Sequence, residues 1–255
     1  FQRLRADAFR AAIMFINGSR GQGGSLQIAF DSAAGMSDFT NIRNEPTLAN
    51  APPAESLYEA LCYYRKSSGA CYDNGSGVWG TGYNSTTGVA GDPYYVASAS
   101  AIVPCCRNFV LMISPGQGIL DGDAPGTSPF GNLFTGVNTG VDYTLAPESM
   151  SAAAARAAGD RLDDVAFYGH TNDVRSTIGG TQSVTFYSVN AMGGKTGAKI
   201  LASASKYGGF DDKNKDNTSN FAPTAAQYAA DVNATTGLHL GNINSCTYPT
   251  GSNLQ

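Results

Sequence analysis

The sequence predicts an α/β fold with a mostly parallel sheet, and two observations lead to it. Segments rich in β-branched and aromatic residues alternate along the chain with segments of helical periodicity, a pattern typical of strands that are joined by helices. Arg107–Ser114 contains a continuous apolar run, as expected of a strand that is buried on both faces of a parallel sheet. The length of 255 residues suits one large domain or two small ones.

The first elements that the sequence predicts are a hairpin and a helix. Phe9–Ile16 is an apolar run that ends at a turn signal, and Ser25–Phe30 alternates between apolar and polar residues, so the two segments predict paired strands. Pro52–Lys66 predicts a helix, because proline lies in its first turn, acidic residues lie early, and basic residues close it. Residues Phe1–Ala8 resemble the end of a preceding helix.

The second half continues this alternation around two long insertions. Residues 67–104 and 117–147 are rich in Gly and in small polar residues. Both exceed the ~12–15 residues of ordinary connections, which favours functional loops or small inserted lobes. The sequence then predicts an Ala-rich helix over Ser149–Gly169 and a strand over Gln182–Val189. It also predicts a last helix over Lys195–Lys206, which Gly208-Gly209 should end.

Composition excludes several classes of partner. Charged residues make up 14% of the chain and the net charge is −4, so the basic surface of a nucleic-acid-binding protein is missing. A polybasic signal for anionic lipid is missing too. The longest apolar run, Ala11–Ile16, is far shorter than the ~20 residues of a membrane helix. Because the sequence starts at Phe1 rather than Met, we expect a processed protein or a piece of a longer one.

The cysteines indicate an oxidising compartment. No C-x-x-C motif occurs and neither histidine is close to a cysteine in sequence, which argues against a zinc site. Together with the low charge and the odd cysteine count, this favours an extracellular or cell-surface protein; the alternative is a cytosolic protein with five reduced thiols. We expect at least one disulfide between the first insertion and the start of the buried strand. The candidates are Cys62 or Cys71 on one side and Cys105 or Cys106 on the other, with Cys246 in the tail.

Five segments, in the same order, resemble one family. They are FRAAIMFINGS, APPAESLYEALCYY, RNFVLMISPGQGILDGD, LDDVAFYGHTNDVRSTIGGTQSVTFYSV and GAKILASASKYGGFDDKNKDN. They are similar to the von Willebrand factor A-like domain of PilY-type proteins, the type IV pilus tip-associated adhesins, over residues 1–217. The resemblance implies a doubly wound sheet and a non-enzymatic role in extracellular adhesion or pilus assembly. Its partners would be pilus or filament subunits, or a ligand on a host or other surface. Residues 218–255 form a polar tail that matches nothing in the family.

The family resemblance also implies a divalent-cation site at the carboxyl ends of the strands. The family motif needs an Asp-x-Ser-x-Ser after the first strand, a Thr before a helix and an Asp after the fourth strand. The first of these is absent, and the other two positions fall at Ala51 and Pro115. Magnesium needs oxygen ligands, which these two side chains lack. We therefore expect this cation site to be lost.

By the same comparison, the chain begins after the family's first and central strand. A sheet without that strand would leave buried backbone groups unpaired, and each such group costs about 1–3 kcal/mol. Three alternatives stay open: upstream residues of a longer native protein, a strand donated by another chain, or direct pairing of Ala11–Ile16 with Phe109–Ile113. We expect the first.

One loop is a candidate calcium site. Asp212, Asn214 and Asp216 alternate along the chain, and alternating oxygen ligands let a short loop surround a hard cation. Asn217 stands where such loops have Gly, and Pro223 where they have Glu. A solvated turn is therefore the alternative, and calcium is the one cofactor that the sequence suggests.

Evidence for catalysis is weak. No G-x-S-x-G motif occurs. His170 is followed by Asn172 and Asp173, which would orient a catalytic base, but a hydrogen-bonded surface histidine is the simpler interpretation. Three further carboxylates are interpreted as a solvated helix face: Asp160, Asp163 and Asp164. We expect a protein that is not an enzyme, with a self-assembling filament subunit as the main alternative and a secreted hydrolase as a weaker one.

Aromatic residues concentrate in and around the first insertion. Such residues, among Gly and Ser, are typical of recognition surfaces, but they would equally pack the insertion onto the domain. Both interpretations stay open for this set: Tyr58, Tyr63, Tyr64, Tyr72, Tyr83, Tyr94, Tyr95 and Trp79.

Overall fold

A computed structural model gives the structure of nine parts of the chain. These are residues 10–16, 23–30, 52–67, 79–81, 88–96, 99–104, 108–114, 162–191 and 194–209. They form a mixed α/β fold with small sheets, one of which is parallel. The α/β class is confirmed to that level. Several predictions lie outside the described residues: the helix end at Phe1–Ala8, the second insertion, the first part of the Ala-rich helix and the tail.

The first sheet contains the predicted hairpin. Strands β1 (Ile13–Ile16) and β2 (Gly24–Ile28) pair antiparallel, with an irregularity in register after Ile13. A Cβ on Gly24 would lie 2.6 Å from the Met14 sulfur, so glycine permits the close approach of the two strands. Strand β3 (Trp79–Thr81), which the sequence did not predict, pairs in parallel with β2.

Helix α1 (Pro53–Arg65) confirms the predicted helix and is central to the fold. Its proline-rich start and the basic Arg65 in its last turn match the sequence signals. It ends at Lys66, which adopts a left-handed conformation with φ of 59°. The helix contacts β1 and β2 of the first sheet and also strand β6 (Asn108–Ser114). It therefore packs against strands of two different sheets.

The parallel sheet pairs β6 with β7 (Val184–Asn190). Two short strands precede it, β4 (Tyr95–Val96) and β5 (Ala101–Ile102), which pair antiparallel. All seven residues of β6 are in register with β7, from Asn108 beside Val184 to Ser114 beside Asn190. Both strands were predicted within one or two residues of their ends.

Two helices pack against β7 and against each other: α2 (Leu162–Thr171) and α3 (Lys195–Gly209). Helix α3 ends at Gly209, at the predicted Gly208-Gly209 stop, but both glycines lie within its last turn and not after it. A Cβ on Gly208 would lie 2.6 Å from the Cβ of Phe186 and 2.8 Å from that of Ala166. Glycine is therefore required for close packing of α3 on β7 and α2.

One hydrophobic core joins α1, the parallel sheet and helices α2 and α3. Its fully buried side chains come from every one of these elements, for example Leu57, Leu61, Leu162, Phe186 and Leu201. A smaller cluster under β1 and β2 includes Leu26 and Tyr63.

Two polar residues on α2 differ from prediction. Asp163, assigned to a solvated helix face, is buried, and its Oδ2 accepts a 2.9 Å hydrogen bond from the Ser203 hydroxyl of α3. His170, assigned to the surface, is buried as well. Helix α2 packs against both α1 and α3, which leaves little of its surface exposed, and the Asp163–Ser203 hydrogen bond is a contact between α2 and α3. Asp160 lies outside the described residues.

Candidate functional site: an apolar face beside an open strand edge

The side of the parallel sheet that faces away from the helices is apolar and exposed. Along β6, burial alternates from residue to residue, and Phe109, Leu111 and Ile113 are 50%, 62% and 63% exposed. Tyr187 and Val189 of β7 are exposed on the same side. The prediction that β6 is buried on both faces is therefore wrong for the described residues, because helices cover only one face.

The register makes these five side chains one continuous surface, which we call the apolar face. Leu111 lies beside Tyr187, and Ile113 lies beside Val189. The ring of Phe109 packs against that of Tyr187, with ring centroids 6.0 Å apart. Fully burying one such side chain is worth roughly 1.5–3 kcal/mol, so covering all five, each about half exposed, would contribute about 4–8 kcal/mol. Contiguous apolar surface of this kind marks interaction sites on soluble proteins.

The opposite face of the sheet is firmly packed, which fixes the apolar face in place. Phe186 is fully buried against α2 and α3. The Ser188 hydroxyl lies 3.1 Å from the Leu201 carbonyl and 2.7 Å from the Ser205 hydroxyl of α3. Asn108 donates to the Tyr94 hydroxyl at 2.8 Å. The exposed side chains thus stand on a rigid support.

Among the residues that the structure describes, no strand pairs with the edge of β6 that faces away from β7, and we call this edge the open edge. The Ser114 carbonyl accepts a 3.0 Å hydrogen bond from the Ala191 amide, so the backbone of Ser114 faces β7. Since backbone groups alternate sides along a strand, those of Phe109, Leu111 and Ile113 face away from β7. The Phe109 carbonyl accepts a 3.0 Å hydrogen bond from the Tyr64 hydroxyl of α1. The outward amides and carbonyls of Leu111 and Ile113 have no partner among the described residues.

The three residues whose backbone faces the open edge also carry the exposed side chains of β6. Both alternations have a period of two residues. A strand that added to this edge would therefore gain backbone hydrogen bonds and lie next to the apolar face. Direct pairing of Ala11–Ile16 with Phe109–Ile113, one of the three alternatives above, does not occur, because β1 and β6 belong to different sheets.

A buried ion pair holds the end of the first insertion against the core. Arg175 donates two hydrogen bonds to the Asp92 carboxylate, at 2.6 and 2.9 Å. The Asp92 side chain is completely buried and that of Arg175 is 8% exposed. Lys66 adds a third contact at 3.1 Å, and the Tyr94 amide donates to the same carboxylate at 2.9 Å.

These contacts set the charge of Asp92. Burial by itself would raise the pKa of this carboxyl, but the hydrogen bonds from Arg175, the Tyr94 amide and Lys66 together hold the pKa below its usual value. The ionised carboxylate joins parts of the chain that lie 83 residues apart. No spacing motif in the sequence marked either Asp92 or Arg175.

Four of the aromatic residues around the first insertion serve in packing. Tyr58, Tyr63, Tyr64 and Tyr94 are buried in the two hydrophobic clusters. Tyr63 stacks on Phe30 with ring centroids 5.7 Å apart, and its hydroxyl accepts from the Phe30 amide at 2.9 Å. For these four tyrosines the structure supports the packing interpretation and not the recognition surface. Tyr72 and Tyr83 lie outside the described residues.

The metal and disulfide candidates are mostly outside the described residues. This holds for Ala51 and Pro115, for Asp212, Asn214 and Asp216, and for every cysteine except Cys62. Among the residues that the structure describes, no three His, Cys, Asp or Glu side chains are grouped closely enough to hold a metal ion. Cys62 is fully buried in α1 and is disulfide-bonded, with a partner outside the described part of the chain. Which cysteine pairs with it stays a prediction.

Asp173 does not take the role of orienting His170. Its Oδ1 accepts from the backbone amides of Arg175 and Gln182, both at 3.1 Å, and so shapes the turn that leads into β7. Asn172 donates to the Tyr168 carbonyl at the end of α2. These bonds explain the polar residues after His170 as turn formers.

Comparisons with known proteins give no assignment: no family model, no curated protein and no solved structure matches this chain. In the described part of the chain, no helix combines the length and the apolar character that crossing a bilayer requires.

Proposed function

We propose that this chain is a non-enzymatic domain of extracellular adhesion or of the type IV pilus, built on a von Willebrand A-like fold whose cation site is degenerate. The observation that carries the proposal is the apolar face of Phe109, Leu111, Ile113, Tyr187 and Val189. A rigid, exposed apolar surface of this kind is suited to a protein contact. That this contact serves adhesion or pilus assembly is inferred from the resemblance of residues 1–217 to PilY-type proteins.

Other features support this proposal. The parallel pairing of β6 and β7, with α2 and α3 packed on one face, is compatible with half of a doubly wound sheet. The disulfide at Cys62 agrees with an oxidising compartment. The low fraction of charged residues, 14%, suits a surface that binds protein rather than nucleic acid.

The proposal is tested by electron microscopy of purified type IV pili that have been incubated with the gold-labelled chain. We expect label at the pilus ends. The Leu111→Asp variant should lose this label, because a charge would stand within the apolar face. The matched control is Val89→Asp, which places the same charge at another exposed apolar position, one outside the face. Absence of label from pili, or equal labelling by the two variants, would contradict the proposal.

A self-assembling filament subunit is the second candidate, and it is favoured by the edge of β6 that has no paired strand among the described residues. Unpaired strand edges are templates for pairing with another chain. In the same micrographs this function would give label along the whole pilus, or filaments of the chain alone, instead of label at the ends.

A further inference from the structure

We propose that a second copy of this chain covers the apolar face, so that two copies form a closed dimer with their parallel sheets face to face. The dimer hides the surface that the proposed function assigns to pili, and dimer formation and pilus binding therefore exclude each other. Only this competition rests on the proposed function, because the dimer is measured without pili.

The apolar face suits a copy of itself because it carries no charge. Neither β6 nor β7 contains Asp, Glu, Lys or Arg. In a two-fold interface each surface patch meets the same patch of the partner, so a charge near the axis would meet a like charge, which is costly. The core of a protein interface is generally depleted of charged residues. The matching surface must be apolar and uncharged, and a second copy supplies both properties.

The shape of the face fits the packing of one sheet on another. Both strands have seven residues and are in register throughout, so the face extends for about 23 Å along the strands. Two sheets pack about 10 Å apart, with their strand directions within about 30° of each other. A two-fold axis in the plane of contact, through the middle of the face, brings the central residues Leu111 and Tyr187 of the two copies together.

The exposed area is sufficient for a weak dimer. The five side chains are between 46% and 63% exposed, and because a large side chain carries ~150–250 Å² of surface, together they present roughly 500 Å². Two copies therefore remove about 1,000 Å² from water, close to the smallest area of a specific interface. Interfaces near this limit are transient, so the dissociation constant should be on the order of 10 μM. At about 1 μM the chain is then mostly monomeric, with its apolar face open.

Sedimentation velocity of the full chain, from about 1 to 200 μM, measures the dimer. The weight-average sedimentation coefficient should rise from the value of a monomer to that of a dimer and go no further. Leu111→Asp should remain monomeric at every concentration, because two carboxylates would meet at the axis. The matched control Val89→Asp adds the same charge outside the apolar face and should dimerise like the wild type. Raising the salt concentration should not weaken the dimer, since no ion pair holds it.

Hydroxyl-radical footprinting of the wild type identifies the surface without relying on a variant. Between about 1 and 200 μM chain, oxidation of Leu111 and Tyr187 should fall by about fivefold, in proportion to the fraction of monomer. Val89 should be oxidised equally at both concentrations.

Four outcomes would overturn the proposal. One is a monomer throughout the concentration range. The second is a dimer that Leu111→Asp and Val89→Asp affect equally, which would place the interface elsewhere. The third is growth beyond the dimer, which would indicate an open assembly. The fourth is shielding of Leu111 and Tyr187 at the lowest concentration, which would mean that the face is already covered within one chain.

Pilus binding is scored separately in the labelling experiment described above. A dimer with these properties but without pilus labelling would contradict the proposed function alone. Pilus labelling by a chain that stays monomeric would contradict the dimer alone. If both occur, labelling by a fixed trace of gold-labelled chain should fall when unlabelled Val89→Asp is added, and it should not fall when unlabelled Leu111→Asp is added.

Discussion

Replacing Arg175 with Met should strongly destabilise the fold, because it leaves Asp92 as a buried charge without its main partner. The side chain keeps an unbranched stem of similar length and loses both hydrogen bonds to the carboxylate, at 2.6 and 2.9 Å. Its stacking over the Tyr94 ring, 5.2 Å from the guanidinium carbon to the ring centroid, is lost as well.

The size of the effect follows from the burial of both partners. Breaking a buried ion pair by removing one member costs about 3–5 kcal/mol, and Asp92 has no exposed surface through which water could replace Arg175. Lys66 is the matched comparison, since Lys66→Met makes the same kind of change against the same carboxylate. Lys66 makes one contact with the carboxylate, at 3.1 Å, and also donates to the Gly88 carbonyl. Because both hydrogen bonds from Arg175 to Asp92 remain, the loss of Lys66 should cost about 1–2 kcal/mol, the net value of one or two hydrogen bonds.

Urea unfolding followed by circular dichroism measures both variants against the wild type. The free energy of unfolding should fall by about 3–5 kcal/mol for Arg175→Met without a change in the slope with urea. Adding Asp92→Asn to Arg175→Met should cost less than the sum of the two single changes, because the uncompensated charge is then gone. The reasoning is refuted if Arg175→Met is as stable as the wild type, or if Lys66→Met costs as much as Arg175→Met.

Three further predictions concern pH, packing and the cysteines. Because the pKa of Asp92 is lower in the folded state than its ordinary 3.8, its stabilisation is present above that value and is lost as pH falls through the folded pKa. In Asp92→Asn the free energy of unfolding should therefore fall less steeply than in the wild type as the pH is lowered into the acid range. The same acid dependence in both proteins would contradict this. Gly208→Ala should destabilise by about 1–3 kcal/mol through overpacking against Phe186, whereas Gly194→Ala, where a Cβ meets nothing within 4 Å, should be tolerated in the same thermal melts. Non-reducing peptide mapping should link Cys62 or Cys71 to Cys105 or Cys106, closing a loop worth about 3–4 kcal/mol; five free thiols would refute that prediction.

The sequence predicted local elements well because their signals are local. Helix α1 was predicted from Pro in its first turn and basic residues at its end, and the structure begins and ends it within a residue of the predicted bounds. Strands β6 and β7 were predicted from apolar and β-branched runs. Strand β3, only three residues long, lies in a Gly-rich stretch whose composition gives no periodicity.

Features that depend on distant partners were not predictable. The apolar run of β6 indicates a strand, but it does not state which face is covered, and Leu111 and Ile113 proved to be exposed. Asp163 was placed on a solvated face because charged residues of helices usually face solvent. In the structure it is buried and accepts a hydrogen bond from Ser203 of another helix. Gly208 resembled a helix stop, and only the proximity of Phe186 reveals its packing role.

Hydroxyl-radical footprinting of the chain, free and bound to type IV pili, is the most direct test of the apolar face as the contact surface. In the free chain Phe109, Leu111, Ile113, Tyr187 and Val189 should be oxidised, as their exposure requires. On pili these five side chains should be shielded, while Val89, exposed elsewhere, stays oxidised in both states. Equal oxidation of the five side chains in the free and bound states, or no oxidation in the free chain, would contradict the assignment.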